Sequence, residues 1–313
     1  MGLGVLLMRL TLGVLVAAGM FAAPFTATGQ TRFSNAGLPK LEDVRTLQLP
    51  GVFLDDPNRG FLHSFKLSVD FGVALTEKRR QPTQLKQNSY GTQLGLSFGI
   101  GSMGFAAISG NYSRENIKST ILAFPLSLDA NSDAGGGDIV LGIAPLPFLR
   151  AGVLGGFGVG NNAYQFVGVP AAPVGADSSG YRFGGFVGAS YPVGPVLLSL
   201  DATVITIRNR QYYGPSNSTP VAHFGSTIGL LHLNAMYNIT ARLRLNAGIV
   251  LNQVFSEKIA PAERGLDRSW FTLQSGLTYQ LNDRWEISVK GLTWLSNQRM
   301  RYSRASIGAA YRF

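Results

Sequence analysis

Few residues in this chain could carry acid–base or metal chemistry. There are three histidines and no cysteine, so neither a disulfide framework nor a thiolate metal site is possible. His63 adjoins Ser64, while His232 stands beside Asn234 with no evident acid–base partner. We therefore predict that the chain is not an enzyme and that it holds no catalytic residue and no cofactor.

One stretch contains oxygen ligands at calcium-loop spacing. In DANSDAGGGD, residues 129–138, three such side chains stand at alternate positions. A calcium loop of the EF-hand type needs glycine at its sixth position and glutamate at its twelfth, where this chain has Ala134 and Val140. We predict a solvated surface loop here, and only a weak calcium candidate: Asp129, Asn131 and Asp133.

Apolar and polar residues alternate with a period of two from residue 62 onward. In SFKLSVDFGVAL, residues 64–75, the odd positions from Phe65 to Leu75 are apolar, and Lys66 and Asp70 fall on the other face. This period is typical of β-strands, and it persists for about ten residues at a time. Strands of a soluble sandwich or barrel usually run about five or six residues, whereas a strand that crosses an outer membrane needs roughly 9 to 11.

Composition and connection lengths favour a membrane barrel over the two soluble alternatives. Charged residues make up only 14% of the chain and glycines number 39, yet no apolar run after residue 30 approaches the roughly 20 residues of a membrane helix. The connections alternate short and long, as in membrane barrels with an even number of strands. The predicted strands are 62–75, 92–101, 103–113, 137–145, 148–160, 180–192, 195–208, 221–238, 241–255, 268–281, 284–296 and 302–313.

The predicted fold is therefore all-β: a single antiparallel up-and-down transmembrane barrel of about 12 strands. An extra hairpin within residues 114–136, where STILAFPLSL is apolar, would make fourteen. Arg9 and the apolar stretch after it indicate a cleaved signal peptide over residues 1–29. Residues 30–61 are predicted to be a periplasmic lead-in or a plug in the lumen, and residues 62–313 form the barrel.

Taken together, the signal peptide, the alternating strands, the loop pattern and the terminal YRF resemble those of bacterial outer-membrane β-barrel proteins of the porin-like class. The resemblance implies an outer-membrane location with both termini in the periplasm. It also implies that Tyr311 and Phe313 belong to a signal read by the barrel-assembly machinery. Outer-membrane lipid hydrolases use a serine and a histidine, but His63 falls at the periplasmic end of the first strand, away from outer-leaflet lipid.

Alternation predicts a lumen with more cations than acids, which would favour anions. The basic loop residues would face anionic lipopolysaccharide, and the signal peptide argues against nucleic acid as the partner of this chain of net charge +10. Lumen glycines, among them Gly72, Gly142, Gly156 and Gly188, would leave free space. The predicted lining residues are Lys66, Asp70, Arg150, Arg182, Asp201, His232, Asn234, Arg242, Arg244, Glu286, Lys290, Arg304 and Arg312.

Three functions follow as hypotheses from this pattern. The leading hypothesis is an outer-membrane channel for passive diffusion of small hydrophilic solutes, either anionic or neutral. The second is a non-conducting barrel that acts as a structural anchor, a surface-binding protein or a secretion accessory. The third is an outer-membrane lipid-modifying enzyme. Twelve strands lie between barrels filled by side chains and barrels that hold an open channel, so strand number alone does not decide among them.

Overall fold

The computed structural model describes residues 65–80, 83–101, 103–121, 126–146, 148–167, 174–213, 220–257, 268–295 and 300–313. The predicted signal peptide and the segment 30–61 lie outside these described residues. Within them, no helix is long and apolar enough to cross a membrane.

Twelve antiparallel strands form one closed barrel in which each strand pairs with its neighbours in sequence and the last pairs with the first. The prediction of an all-β up-and-down barrel of twelve strands is confirmed. The strands are β1 Lys66–Arg80, β2 Thr83–Ile100, β3 Gly104–Ile121, β4 Leu126–Leu146, β5 Leu149–Val167, β6 Val174–Val193, β7 Val196–Tyr213, β8 Pro220–Asn238, β9 Leu243–Glu257, β10 Ser269–Gln280, β11 Trp285–Trp294 and β12 Met300–Arg312.

The barrel closes between β1 and β12. Their register runs from Lys66 opposite Arg312 to Lys78 opposite Met300. Beyond it, the backbone N–H of Phe313 donates a hydrogen bond of 3.0 Å to the carbonyl oxygen of Phe65, and the two rings meet edge-on with centroids 4.9 Å apart. We call the end of the barrel that holds Phe65 and Phe313 the terminal end, and the opposite end the far end.

Large apolar side chains cover the outer face. Val73 is 61% exposed and Ile307 is 54% exposed, although both lie in the middle of paired strands. Tyr181 lies toward the far end of this apolar band and Trp285 at the terminal end, as expected of aromatic residues at the two membrane interfaces. Since an apolar band of this extent is stable in hydrocarbon rather than in water, the barrel spans a membrane.

The alternative of fourteen strands is wrong. Residues 114–136 form no additional hairpin, because β3 continues to Ile121 and β4 begins at Leu126, and these two residues pair directly. Within STILAFPLSL, Ile121 and Leu126 therefore prolong an existing hairpin beyond the apolar band. The predicted surface loop at 129–138 is also wrong, since these residues belong to β4.

Neighbouring residues near the middle of β12 test which face meets lipid. Ile307 points outward and Ser306 inward, so they experience different surroundings at nearly the same depth. We expect Ile307→Arg to destabilise the barrel by about 2–4 kcal/mol, because its charge would lie in hydrocarbon. Ser306→Arg serves as the matched control, and we expect it to be much milder. Urea unfolding in lipid vesicles measures both, and equal losses would contradict the assigned faces.

Candidate functional site: the inner wall of the barrel

The inner wall is identified by contacts between strands that are not neighbours. Asp70 on β1 accepts a hydrogen bond from Lys290 on β11 although β12 lies between them, which is possible only on the concave face. The alternation of each strand then gives the direction of the other side chains. All but one of the predicted lining residues face the lumen: Lys66, Asp70, Arg150, Arg182, Asp201, His232, Asn234, Arg244, Glu286, Lys290, Arg304 and Arg312.

Arg242 is the exception, and its prediction as a lining residue is wrong. It is exposed in the turn that follows Asn238, before β9 begins at Leu243. Its backbone N–H donates to the hydroxyl of Thr240 over 3.2 Å, which stabilises the turn. The predicted strand began two residues too early, so alternation was extended into a turn.

Three ion pairs of the inner wall each cross a glycine on an intervening strand. Lys290 Nζ lies 2.9 Å from Asp70 Oδ1, and Gly308 of β12 lies beneath that carboxylate. Any side chain at Gly308 would collide with Asp70, because an added Cβ would overlap the carboxylate. The missing side chain thus allows residues of β1 and β11 to meet.

The second pair repeats this arrangement on the other side of the barrel. Arg150 of β5 donates two hydrogen bonds from Nη2, of 2.6 and 2.7 Å, to the carboxylate of Asp201 on β7. Gly188 of β6 pairs with both residues in register and lies under the contact. Arg150 also donates from Nη1 to the Ser190 hydroxyl over 2.8 Å. This network satisfies a carboxylate that is almost entirely buried.

A third pair involves an acid that the sequence analysis missed. Arg182 of β6 donates hydrogen bonds to Asp138 of β4, and Gly156 of β5 lies between them. Because Ile139 and Leu141 in GGGDIVLGI are outward, alternation would have placed Asp138 inward. The three glycines before Asp138 have no side chains, however, so the alternation of apolar and polar residues cannot be followed through them. We call Gly308, Gly188 and Gly156 the bridged glycines.

Cations gather around one carboxylate at the terminal end. Lys66 Nζ lies 2.5 Å from Glu286 Oε1, and Arg312 Nη2 lies 3.1 Å from Glu286 Oε2. Arg244 donates to Asn238 over 3.4 Å and also interacts electrostatically with Glu286. Three cations therefore share one acid at this mouth of the barrel, which leaves it positively charged.

Among the described residues, sixteen buried apolar or aromatic residues form a stripe along the inner wall. Part of it is a row across four strands, in which Phe105, Gly142, Gly152 and Phe186 pair in succession. The two phenylalanine rings approach to 6.3 Å between centroids above the two glycines. The inner wall is not polar throughout, because inward Phe, Leu, Ile and Trp alternate with outward residues just as Ser and Arg do.

The glycines of the inner wall do not simply leave free space, contrary to the prediction. The Phe105 ring covers Gly142, the bridged glycines Gly156 and Gly188 lie under ion pairs, and the Arg304 guanidinium lies over Gly72. In each case a side chain from a nearby strand occupies the volume. Glycine here allows inward side chains to reach across the sheet.

Aromatic residues extend the apolar stripe toward the far end. The rings of Trp270 and Trp294 have centroids 4.9 Å apart, and those of Trp294 and Tyr302 are 5.4 Å apart. Trp270 is only 1% exposed. Beside it, the amide of Asn252 donates to the Thr272 hydroxyl over 3.0 Å. The inner wall is therefore amphipathic.

The weak calcium candidate does not form a binding loop. Asp129, Asn131 and Asp133 point outward from alternate positions of β4, so consecutive members are about 7 Å apart. Asp133 instead accepts a hydrogen bond of 2.7 Å from the hydroxyl of Tyr112. Across the described parts of the chain, no three His, Asp or Glu side chains are grouped so that they could hold a metal ion.

His232 and Asn234 both face the lumen from β8, opposite Asp201 and Ser199 of β7. Among the described residues, Nε2 of His232 is buried and has no hydrogen-bond partner. The carboxylate opposite it is engaged by Arg150. No relay that would activate a nucleophile therefore runs through Nε2 of this histidine.

No protein-family model and no curated protein sequence matches the chain. Among solved structures, the barrel is similar to the translocator domain of the autotransporter NalP from Neisseria meningitidis, with a TM-score of 0.70 and 13% identity over 87% of this chain and 96% of that one. The transport unit of the autotransporter AIDA-I from Escherichia coli gives a TM-score of 0.61 and 11% identity over 87% and 97%. The beta domain of the Bordetella autotransporter BrkA gives a TM-score of 0.58 and 16% identity over 80% of this chain and 100% of that one. The chain thus has the fold of bacterial outer-membrane β-barrels.

Two glycines of β5 test whether bridged glycines are required. An added Cβ at Gly156 would lie 2.7 Å from the Gly137 carbonyl oxygen and 3.0 Å from Arg182 Nε, whereas at Gly158 the nearest atom lies 3.7 Å away. We expect Gly156→Ala to destabilise the barrel by about 1–3 kcal/mol through overpacking. Gly158→Ala, which is on the same strand and face, is expected to be neutral or slightly stabilising. Unfolding in lipid vesicles gives both values, and equal effects would contradict the role of Gly156.

Proposed function

We propose that the chain is an outer-membrane channel for passive diffusion of small hydrophilic solutes, anionic or neutral. The observation that carries this proposal is the convergence of Lys66, Arg244 and Arg312 on the single carboxylate of Glu286 at the terminal end. A mouth with surplus positive charge raises the local concentration of anions and lowers that of cations. This field acts before a solute enters the lumen.

In the proposed orientation the terminal end faces the periplasm and the far end faces the outside. The far end then carries exposed cations, including Lys86, Arg210 and Arg301, next to the outer leaflet. Arginine and lysine suit contact with the phosphates of lipopolysaccharide. The edge contact between Phe65 and Phe313 would lie at the inner interface, where the barrel-assembly machinery would read the terminal aromatic residues.

Planar-bilayer recording tests the channel. We expect the wild-type chain to conduct and to favour chloride over potassium in a salt gradient. Glu286→Gln removes the carboxylate that the three cations share, so it should increase the chloride preference.

The matched control is Asp283→Asn, which changes the charge equally at the same end but in the exposed turn between β10 and β11. It should alter the selectivity less than Glu286→Gln does. Absence of conductance, or preference for potassium, would overturn the proposed function.

The second candidate is a non-conducting barrel that serves as an anchor or a secretion accessory. The apolar stripe favours it, since sixteen buried residues on the inner wall are unusual for a passage filled with water. The proposed plug, residues 30–61, would then act inside the lumen. Both candidates predict a membrane barrel, and they differ in whether water reaches the middle of the lumen.

Thiol labelling distinguishes the candidates without background, because the chain has no cysteine. Ser306→Cys places a thiol on the inner wall, and Asn282→Cys places one in an exposed turn as control. An open channel predicts that a small charged thiol reagent labels both within about tenfold of the same rate. A blocked lumen predicts much slower labelling of the Ser306→Cys variant only. If deletion of residues 30–61 then makes labelling of this variant faster, that segment blocks the lumen.

A further inference from the structure

A shallow groove crosses the outer face of the barrel toward the far end. It has a volume of about 560 Å³ and lies between two rows of outward residues on β3 to β6. The first row, nearer the apolar band, pairs in register as Tyr112, Gly135, Val159 and Ser179. The second row, nearer the far end, pairs as Asp133, Asn161 and Asp177. We call this feature the outer groove.

The outer groove lies at the edge of the apolar band. In its first row Val159 and Tyr112 are exposed apolar and aromatic residues, whereas the second row contains two carboxylates and an amide. An outward tyrosine favours the depth of the lipid headgroups, because its ring is apolar and its hydroxyl is polar. A lipid beside the barrel would therefore place its headgroup against this groove and its acyl chains against the band below it.

The floor of the outer groove is open at Gly135. A Cβ added there would lie 3.6 Å from the carbonyl oxygen of Asn111, and among the described residues no side chain of another strand lies within 4 Å of it. Gly110, one row further into the apolar band, is also open, since its added Cβ would lie 3.9 Å from the nearest atom. The bridged glycines of the inner wall differ, because neighbouring side chains cover them. Gly135 and Gly110 thus leave space for a molecule from the membrane.

The second row presents hydrogen-bond acceptors that are spread apart. Asp133 and Asp177 both pair with Asn161, so the two acids are two interstrand spacings apart, about 10 Å. The Tyr112 hydroxyl donates to Asp133 over 2.7 Å, and this carboxylate keeps further lone pairs. On a convex surface the two acids do not converge on one point. They therefore suit the several hydroxyls of a pair of sugar rings better than a single ammonium group.

Arginines flank these acceptors on both sides. Arg114 of β3 pairs in register with Asp133, and its Nε lies 3.9 Å from that carboxylate. On the other side, Arg210 of β7 pairs with Ser179. Both arginines are exposed, and arginine matches the geometry of phosphate oxygens. The outer groove is therefore complementary to sugar rings that carry phosphates at their ends.

The remaining charges nearby do not oppose this pattern. Arg208, one row closer to the apolar band than Arg210 on β7, adds a third cation. Two rows beyond the groove, Lys118 and Asp129 pair in register, so their charges offset each other. The arginines thus compensate the two carboxylates of the groove, and a phosphate at its sides meets no net negative charge.

We propose that the outer groove binds a phosphorylated glycolipid of the outer leaflet. Its sugar hydroxyls donate to the second row, its phosphates contact Arg114 and Arg210, and one sugar ring lies over Gly135 while an acyl chain passes Gly110. This inference goes beyond the proposed channel, because the groove is on the outer face and its ligand never enters the lumen. It uses only the proposed orientation, in which the far end faces the outside.

Native mass spectrometry of the purified full-length barrel in detergent tests the site. The probes are lipid A, which has a disaccharide and two phosphates, digalactosyl diacylglycerol, which has two sugars without phosphate, and phosphatidylglycerol, which is anionic without sugar. We expect the wild-type chain to bind lipid A about tenfold more tightly than phosphatidylglycerol, since the latter lacks partners for the second row. The digalactosyl lipid should fall between them.

Filling the groove gives the first pair of variants. Gly135→Leu places a side chain in the open volume, so the affinity for lipid A should fall about tenfold. Gly185→Leu is the matched control, because Gly185 also faces lipid but in the middle of the band, and its added Cβ would lie 3.5 Å from the nearest atom. It should leave the affinity for lipid A within about twofold of the wild-type value.

Two acids on the same strand and face give the second pair. Asp133→Asn and Asp129→Asn each remove one negative charge from the outer face of β4, but only Asp133 lines the groove. Net charge alone predicts tighter binding of anionic lipid in both variants. The site predicts several-fold weaker binding of lipid A and of the digalactosyl lipid in Asp133→Asn only. This isosteric variant also provides the test if Gly135→Leu does not assemble.

The outcomes separate this inference from the channel proposal. Equal affinities for lipid A and phosphatidylglycerol, or equal effects within each pair of variants, would overturn the site and leave a general attraction of anionic lipid to arginine. Binding that depends on Gly135 and Asp133 in a barrel that does not conduct would support the site and overturn the channel. Anion-selective conductance without such binding would overturn the site and leave the channel standing.

Discussion

Closure of the sheet is the constraint on which the rest of this structure depends. In hydrocarbon no water replaces a missing backbone hydrogen bond, so a sheet that spans the membrane cannot have a free edge. The register between β1 and β12 removes that edge, and the hydrogen bond from Phe313 to Phe65 extends the pairing beyond the two strands. Once the ring is closed, one face of every strand must accept lipid, and charged residues of the apolar band such as Asp70 and Lys290 are directed to the concave side.

Inward side chains contact each other on the concave side, and glycines on the intervening strands make room for these contacts. Between Phe105 and Phe186, two glycines lie beneath a contact of aromatic rings. Between Asp138 and Arg182, one glycine lies beneath an ion pair. The chemistry differs, but the geometry is the same, since residues two or three strands apart meet where the intervening strand has no side chain. These contacts link strands that share no backbone hydrogen bonds, which adds side-chain coupling to the backbone ladder around the barrel.

The sequence was sufficient for the parts of the fold that repeat. Alternation of Phe65, Leu67 and the following odd residues predicted the lipid face of β1, and the alternating connections predicted an even number of strands. Beyond the apolar band, β3 and β4 continue as paired strands, but there neither face needs to be apolar. Alternation therefore no longer marks residues such as Lys118 or Asp129 as strand residues.

The contacts between side chains on the inner wall were harder to predict than the directions in which the side chains point. Alternation placed Arg150 and Asp201 inward, but nothing in the sequence shows that Gly188 aligns with both. That alignment follows from the register, which depends on turn geometry and packing over the whole sheet. The same limit applies to the apolar stripe, because alternation gives the directions of Leu154 and Ile205 one strand at a time and does not show that they pack together.

Pairing also changes how the charge of the inner wall acts at a distance. A contact such as Arg182 with Asp138 is a dipole seen from the centre of the lumen, so its field decreases faster with distance than that of a single charge. A count of inward lysines and arginines therefore overstates the attraction for anions. What remains over distance is the surplus of positive charge around Glu286. Selectivity in this barrel would thus depend on which charges lack a partner rather than on how many charges face inward.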